Sequence, residues 1–279
     1  MADVIFLKLG GSLITDKTGV EAVREANLAR LANEIREARE KNPAIKLLLG
    51  HGSGSFGHVA GAKHDTRQGV QTTEQWRGFA EVSSAASRLN KVVIAALMKA
   101  GVPAVSLQPS ASAVCADGLI ETLATQPVTM ALQAGLVPVI FGDVAFDTVR
   151  GGTIISTEEV MMFLANELRP TWLLLAGETP GVLDQNGEVV PQITEESLSE
   201  ILEALGGSRG TDVTGGMLSK VQAMLDLVAN HPQIKIRIFT GLEAGQVKKT
   251  LLSPSESSGT VIKSIGNNGS GFAGRERLG

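Results

Sequence analysis

Three glycine-rich segments hold the residues of this chain that could do chemistry. Lys8-Leu9-Gly10-Gly11-Ser12 runs an apolar stretch containing one lysine into paired glycines. Gly50 to His58, GHGSGSFGH, is bracketed by two of the four histidines, His51 and His58. Gly210-Thr-Asp-Val-Thr-Gly-Gly-Met217 is followed by Lys220. Each lies where a strand or loop gives way to a helical pattern. Glycines at such junctions let backbone N–H groups approach an anion, and a helix start adds partial positive charge. Any one of them reads equally well as a tight turn; three together, two with a lysine nearby, point to phosphate.

The kind of phosphate is narrowed by what is missing. Gly52, Gly54 and Gly57 spell G-x-G-x-x-G after an apolar run, which is a dinucleotide fingerprint only if an acidic residue follows about 20 positions on, at the end of a strand. Glu74 has the spacing, but it sits in Thr72-Thr-Glu-Gln-Trp-Arg77, which reads as a helix start. An NAD-dependent oxidoreductase is therefore the outsider. No G-x-x-x-x-G-K-[ST] occurs, so a P-loop is absent and the phosphate site must belong to another architecture.

Composition constrains the partners. A chain of 279 residues, 43% hydrophobic, can bury a large core, and a formal net charge of −4 gives no general attraction to nucleic acid or anionic membrane. Any anion site has to be built locally. One cysteine, Cys115, excludes an internal disulfide and reads as a small core residue. The Met-Ala-Asp start lacks the regions of a signal peptide, and no apolar run approaches the roughly 18 to 20 residues of a membrane span, so a cytoplasmic protein is expected.

The elements that must position these loops follow a βα rhythm. Short apolar runs predict strands at Val4–Leu9, Ile45–Leu49, Pro103–Leu107, Val137–Phe141, Trp172–Ala176, Ile234–Thr240 and Thr260–Ile262, hence a mainly parallel sheet. Leu28, Leu31, Ile35 and Ala38 repeat at helical spacing, and Thr73 to Ala100 reads as one long or broken helix ending at Gly101. Ser156 and Glu159 form a capping box opening a helix through Leu168, with Arg169-Pro170 closing it and marking a boundary between lobes. Asp117-Gly118 and Asn186-Gly187 are hairpin turn signals, and the Gly-rich stretch 264–279 reads as a polar tail.

Lys8-Leu-Gly-Gly-Ser12 with Thr15-Asp-Lys17, His51 to His58, Ser106-Leu-Gln-Pro-Ser110, Gly142-Asp143, and Asp212-Val-Thr-Gly-Gly-Met217 with Lys220 resemble the isopentenyl phosphate kinases of the amino-acid kinase superfamily, over about residues 4–262. K-x-G-G-S marks only the superfamily; H-G-x-G-x-F-G-H and D-V-T-G-G-M are narrower. The resemblance implies an α/β protein, an αβα sandwich about a mainly parallel eight-stranded sheet, and a homodimer. It implies an acceptor lobe over 1–170, a nucleotide lobe over 171–263, and transfer from ATP, with Mg2+, to isopentenyl phosphate or a similar small alkyl monophosphate.

The same resemblance assigns roles. Lys8 and Lys17 neutralise the phosphoryl in flight, His58 orients the acceptor phosphate, and Glu158 organises the lysines where the family carries aspartate. Gly10, Gly11, Gly52 and Gly54 present N–H groups, with Ser53, Ser55, Gly57, Gly142 and Asp143 also on the acceptor side. ATP is expected on Lys8, Gly10, Gly11, Ser12, Gly181, Asp212, Thr214, Gly215, Gly216 and Lys220. Trp76, Phe79 and Ser83, on one face of their helix, are expected to wall the isoprenoid pocket, and no residue is assigned as a metal ligand. The bland readings stay open: Lys8 as a lysine snorkelling from a strand end, His51 as a loop-shaping residue, Asp143 as a turn cap, Trp76 and Phe79 as core. A fosfomycin kinase-like phosphonate kinase and a non-catalytic nucleotide-binding regulator are the alternative functions.

Overall fold

The structure is a computed structural model that describes residues 4–16, 18–57, 65–197 and 216–265, with the backbone alone at 216–218. Its strands are β1 (Val4–Leu9), β2 (Thr15–Asp16), β3 (Ala22–Val23), β4 (Lys46–His51), β5 (Ala104–Ser106), β6 (Val114–Ala116), β7 (Leu119–Thr122), β8 (Val137–Phe141), β9 (Asp143–Asp147), β10 (Gly151–Ile155), β11 (Trp172–Gly177), β12 (Gln192–Ile193), β13 (Lys235–Thr240) and β14 (Thr260–Ile262). The helices are α1 (Gly11–Ile14), α2 (Glu25–Lys41), α3 (Thr73–Lys99), α4 (Gln126–Gln133), α5 (Thr157–Leu168), α6 (Gly216–Asn230) and α7 (Gln246–Leu252).

Eight strands form the central sheet in the order β12-β14-β13-β11-β1-β4-β8-β5, parallel except where β13 meets β14. Alternation along the strands sends successive side chains to opposite layers. Leu7 and Leu9 of β1 join Leu47 and Leu49 of β4 in a core closed by α2, α3 and α7, whereas Phe6 and Leu48 face a second core closed by α4, α5 and α6. This is the expected αβα sandwich. Because both faces are covered, the strands read as nearly continuous apolar runs.

The predicted strands were all found, within one or two residues at their ends. Thr73–Lys99 is a single unbroken helix, opened by a capping box between Thr72 and Gln75 and followed by Gly101 at φ +89°. What the pattern did not reveal is a second sheet, β10-β9-β6-β7. Its β6–β7 turn is the anticipated Asp117-Gly118, with both residues at positive φ as a type I′ turn demands. Asn186-Gly187 closes only an isolated bridge between Leu183 and Val189. Of the predicted tail, 266–279 lie outside the described residues.

Candidate active site

The loops leaving the carboxyl ends of β13, β11, β1, β4 and β8 lie side by side. The chain steps outward from β1 to β4 on one flank, then to β11 and β13 on the other, so strand order reverses beside β1. In open α/β sheets the crevice at such a reversal takes the ligand. Both N-terminal glycine loops open there.

Lys8 is the penultimate residue of β1, in register with Gly50 on one side and Leu175 on the other. Its partner comes from the first turn of α5. There Ser156 Oγ accepts from the Glu159 amide at 3.2 Å and the Glu159 carboxylate accepts from the Ser156 amide at 2.5 Å, so the anticipated capping box fixes the turn that carries Glu158. Lys8 Nζ donates to Glu158 Oε1 at 2.5 Å, and Lys220 Nζ, from α6, lies 3.4 Å from the same oxygen. Burial by itself would raise the Glu158 pKa, but the charges of Lys8 and Lys220 and the Lys8 hydrogen bond outweigh it and hold it down to about 2. Two ammonium groups about one carboxylate leave a net positive charge facing the crevice. Lys8 and Glu158 are 15% and 17% exposed and Lys220 is 53% exposed, so Lys8 does not snorkel to solvent while Lys220 reaches the carboxylate from the exposed side.

The two glycine loops interlock. A Cβ on Gly11 would lie 2.5 Å from the Gly54 amide nitrogen, and one on Gly52 would lie 2.7 Å from that of Gly11. Gly54 adopts φ +47°, where a side chain would strike Thr15. Thr15 is fully buried; its hydroxyl donates to Gly11 O at 2.8 Å and accepts from Ser55 N at 3.0 Å. Ser55 Oγ accepts in turn from Ala22 N, tying the second loop to the β2–β3 hairpin. Ser53 O accepts from the amides of Phe56 and Gly57, and a Cβ at Gly57 would collide with Ser53. The expectation that four glycines present their N–H groups is corrected for two of them. Gly10 N donates to Ala176 O at 2.8 Å and Gly52 N to Leu9 O at 2.9 Å, so these residues act through shape and not as donors to a ligand. Ser12 stands in α1 directly after Gly11.

His51 is buried beneath this cradle. Its ring stacks on Phe141 with centroids 5.5 Å apart, and its nitrogens lie 3.1 Å from Gly52 O and 3.2 Å from Asn90 Oδ1. Burial lowers its pKa against the raising effect of those two contacts, and the contact to Gly52 O ties the ring to the loop. Asp143, 1% exposed, accepts from Gln108 Nε2 at 3.1 Å, Ser110 N at 3.3 Å and Val144 N at 2.9 Å, and so holds the Gln108–Ser110 turn. A Cβ on Gly142 would meet Ile155 O and Thr157 N at 3.3 Å, so β8 ends hard against the start of α5. Gly181 follows β11, and a Cβ there would meet Thr260 Oγ1 at 2.6 Å and Val189 at 2.9 Å.

Trp76 and Phe79 meet edge to face with centroids 5.2 Å apart, and Phe146 of β9 joins them at 6.0 and 5.3 Å. Trp76 and Phe79 belong with Val70, Val82, Val144 and Ile154 to a small apolar cluster separate from the two main cores, and Phe146, largely exposed, covers it from outside. Ser83, one turn further along α3, is within 3.5 Å of Gln108 Nε2. Lys17, His58, Asp212, Thr214 and Gly215 lie outside the described residues, and Gly216 is described by its backbone, as the first residue of α6.

The motifs contained Thr15, Gln108 and Thr157 without assigning them a role, and the sequence reading did not single out Asn90 or Phe146; Thr157 Oγ1 donates to His51 O at 2.6 Å. Asn90 did leave a signal: it is an amide on the apolar stripe of Ala86, Leu89, Val93 and Leu97. Among the described residues no group of three or more His, Cys, Asp or Glu side chains is placed to hold a metal ion, and no helix is long and apolar enough to cross a membrane.

Sheet order, interlocked glycine loops and a lysine pair on one carboxylate agree with the sequence match, which runs over residues 3–240 and places the chain in the amino acid kinase family. Within it the chain belongs with the isopentenyl phosphate kinases. It is 37% identical to the isopentenyl phosphate kinase of Methanocaldococcus jannaschii over 264 residues, covering 92% of this chain and 97% of that one. To the isopentenyl phosphate kinase of Haloferax volcanii it is 40% identical over 264 residues, 93% and 98% of the two chains. An X-ray structure of isopentenyl phosphate kinase superposes with a TM-score of 0.78 at 29% identity, covering 93% of this chain and all of that one.

Proposed function

We infer that the protein transfers the γ-phosphoryl of ATP to isopentenyl phosphate, giving ADP and isopentenyl diphosphate. The observation that carries this reading is the Lys8–Glu158–Lys220 cluster at the mouth of the interlocked glycine loops. Phosphoryl transfer between two anionic oxygens requires positioning and positive charge and little covalent chemistry. Lys8 is held on the sheet and serves the phosphoryl group in flight, together with Lys17. Lys220, on the more exposed arm, serves the ATP phosphates. Glu158 offsets the repulsion between the two amines and holds both at one point.

The acceptor is already an anion near neutral pH, so no strong base is required, and His58 is a positioning and charge-stabilising group. Residues 1–170 contribute the acceptor side and 171–263 the nucleotide side. The apolar wall of Trp76, Phe79 and Phe146 supports an alkyl phosphate over the polar phosphonate of a fosfomycin kinase. Mg2+ is taken to travel on the ATP phosphates, its usual mode in phosphoryl transfer. A homodimer follows from the family likeness and is checked by sedimentation.

The deciding experiment is a coupled ADP assay with isopentenyl phosphate, fosfomycin and no acceptor, accompanied by titrations of ATP and NAD. ADP release dependent on isopentenyl phosphate is expected. Release with fosfomycin alone overturns the acceptor, ATP binding without turnover favours a regulator, and NAD binding in place of ATP overturns the class.

A further inference from the structure

A cavity lies on the α4–α5 side of the central sheet. It has a volume of about 230 Å³ and is bounded by the Ser106–Ser112 turn, the segment at Leu123 and Ala124, α4, β8 and α5. None of the residues expected to contact ATP or the acceptor lines it. Its walls are Leu107, Leu123, Val128, Ile140, Val160 and Leu164, and Ala111, Ala124 and Pro127, which are exposed, open it to solvent.

Protein interiors hold few voids larger than a water molecule, and an empty apolar one forfeits the contacts that its lining could make. Even an engineered apolar cavity of about 150 Å³ stays dry and takes benzene, so this one has room for roughly five to ten carbons. The chemistry of the occupant follows from the lining, which contains no charged side chain. A phosphate or carboxylate would be desolvated there without compensation, and is excluded. The polar side chains are Ser106, Gln108 and Ser112. The Gln108 amide is already directed at Asp143, Ser110, Ser87 and Ser83. Ser106 Oγ accepts from Asn90 Nδ2 at 2.6 Å and Ser112 Oγ accepts from Ala124 N at 3.2 Å. Ser106 is thereby turned to α3, across the sheet from the apolar lining, whereas Ser112 keeps its own O–H to donate.

We propose that this cavity is a binding site for a neutral alkyl or alkenyl alcohol of about five to ten carbons, whose chain fills the apolar volume and whose oxygen accepts from Ser112. The site stands on this lining and does not require the acceptor assignment. Its polar wall is the same turn that Asp143 holds, which places the occupant directly behind the acceptor-side loop.

The test is thermal unfolding of the full chain with 3-methyl-3-buten-1-ol and with geraniol, alone and with isopentenyl phosphate at saturation. Both alcohols are expected to raise Tm by roughly 2–4 °C near ten times their Kd, the increase persisting when isopentenyl phosphate is present. Val128→Phe, which fills the cavity, and Ala124→Phe, which blocks its mouth, should each abolish the increase while keeping wild-type turnover. No increase with either alcohol, an increase erased by isopentenyl phosphate, or one retained in both variants overturns the site. Should Val128→Phe fail to fold, Ala124→Phe decides alone. Failure of isopentenyl phosphate as a substrate would overturn the proposed function and leave the Tm comparison of the variants intact.

Discussion

Lys8 Nζ and Glu158 Oε1 lie 2.5 Å apart across 150 residues of sequence, joining the end of the first strand to the first turn of a capped helix. Lys220 completes the group from a third element. Glu158→Gln keeps the length of the side chain and removes the charge that holds both amines. We expect kcat to fall about 10²-fold, the usual scale for losing one preorganised electrostatic group. Circular dichroism should show the fold intact, and Glu158→Asp should recover part of the loss. Wild-type turnover in Glu158→Gln would exclude an organising role.

The same carboxylate makes stability depend on pH with a definite sign. Its pKa is depressed from 4.5 to about 2, so its contribution is fully present above about pH 4.5 and is lost as pH falls toward 2. Melting curves of wild type and Glu158→Gln should therefore differ most above pH 4.5 and converge on acidification. A gap that is constant from pH 7 to pH 2.5 would contradict the pairing.

Gly11→Ala tests the interlocked loops. The new methyl would lie 2.5 Å from the Gly54 amide nitrogen, where only backbone is available to yield. Separating the loops should lower kcat/KM by at least about 10²-fold, since a misplacement of about 1 Å is enough to cost that much. Steady-state kinetics on the purified variant give the answer, and an unaltered kcat/KM would show that the cradle has slack.

Trp76 and Phe79 should set acceptor length. The phosphate cradle treats every monophosphate alike, so discrimination falls to the apolar cluster these rings form with Phe146. Trp76→Ala and Phe79→Ala should raise kcat/KM for geranyl phosphate relative to isopentenyl phosphate. Phe79, 8% exposed, should in addition cost stability, about 3–5 kcal/mol for a core Phe→Ala change. A lowered Tm with an unchanged ratio in both variants would make the rings core and nothing more.

His58→Ala should reduce kcat roughly 10²- to 10³-fold with the fold retained. Lys8→Ala and Lys17→Ala should impair turnover more than ATP binding, whereas Lys220→Ala should weaken ATP as well. Titration calorimetry separates these outcomes, and equal loss of ATP affinity in all three lysine variants would refute the division of labour.

The amino-acid sequence by itself determined the βα rhythm and the mainly parallel sheet, because a strand covered on both faces must be apolar along its length and a covered helix must repeat its apolar residues at helical period; the αβα sandwich was implied by the family resemblance. It also determined the start of α5, since the Ser156–Glu159 box is a local hydrogen-bond pattern needing no distant partner. Tertiary structure alone decided the rest. That Gly10 and Gly52 act by shape depends on carbonyls at Ala176 and Leu9, one of them contributed by a strand far along the chain. That Lys8 stays inside depends on Glu158, and that Asp143 holds a turn depends on Gln108 and Ser110. The short strands of the second sheet gained their pairing only from one another, so no single segment of them stood out. Local hydrogen bonds and periodic burial are written into neighbouring residues; pairings between residues far apart in sequence exist only once the sheet has brought the strand ends together.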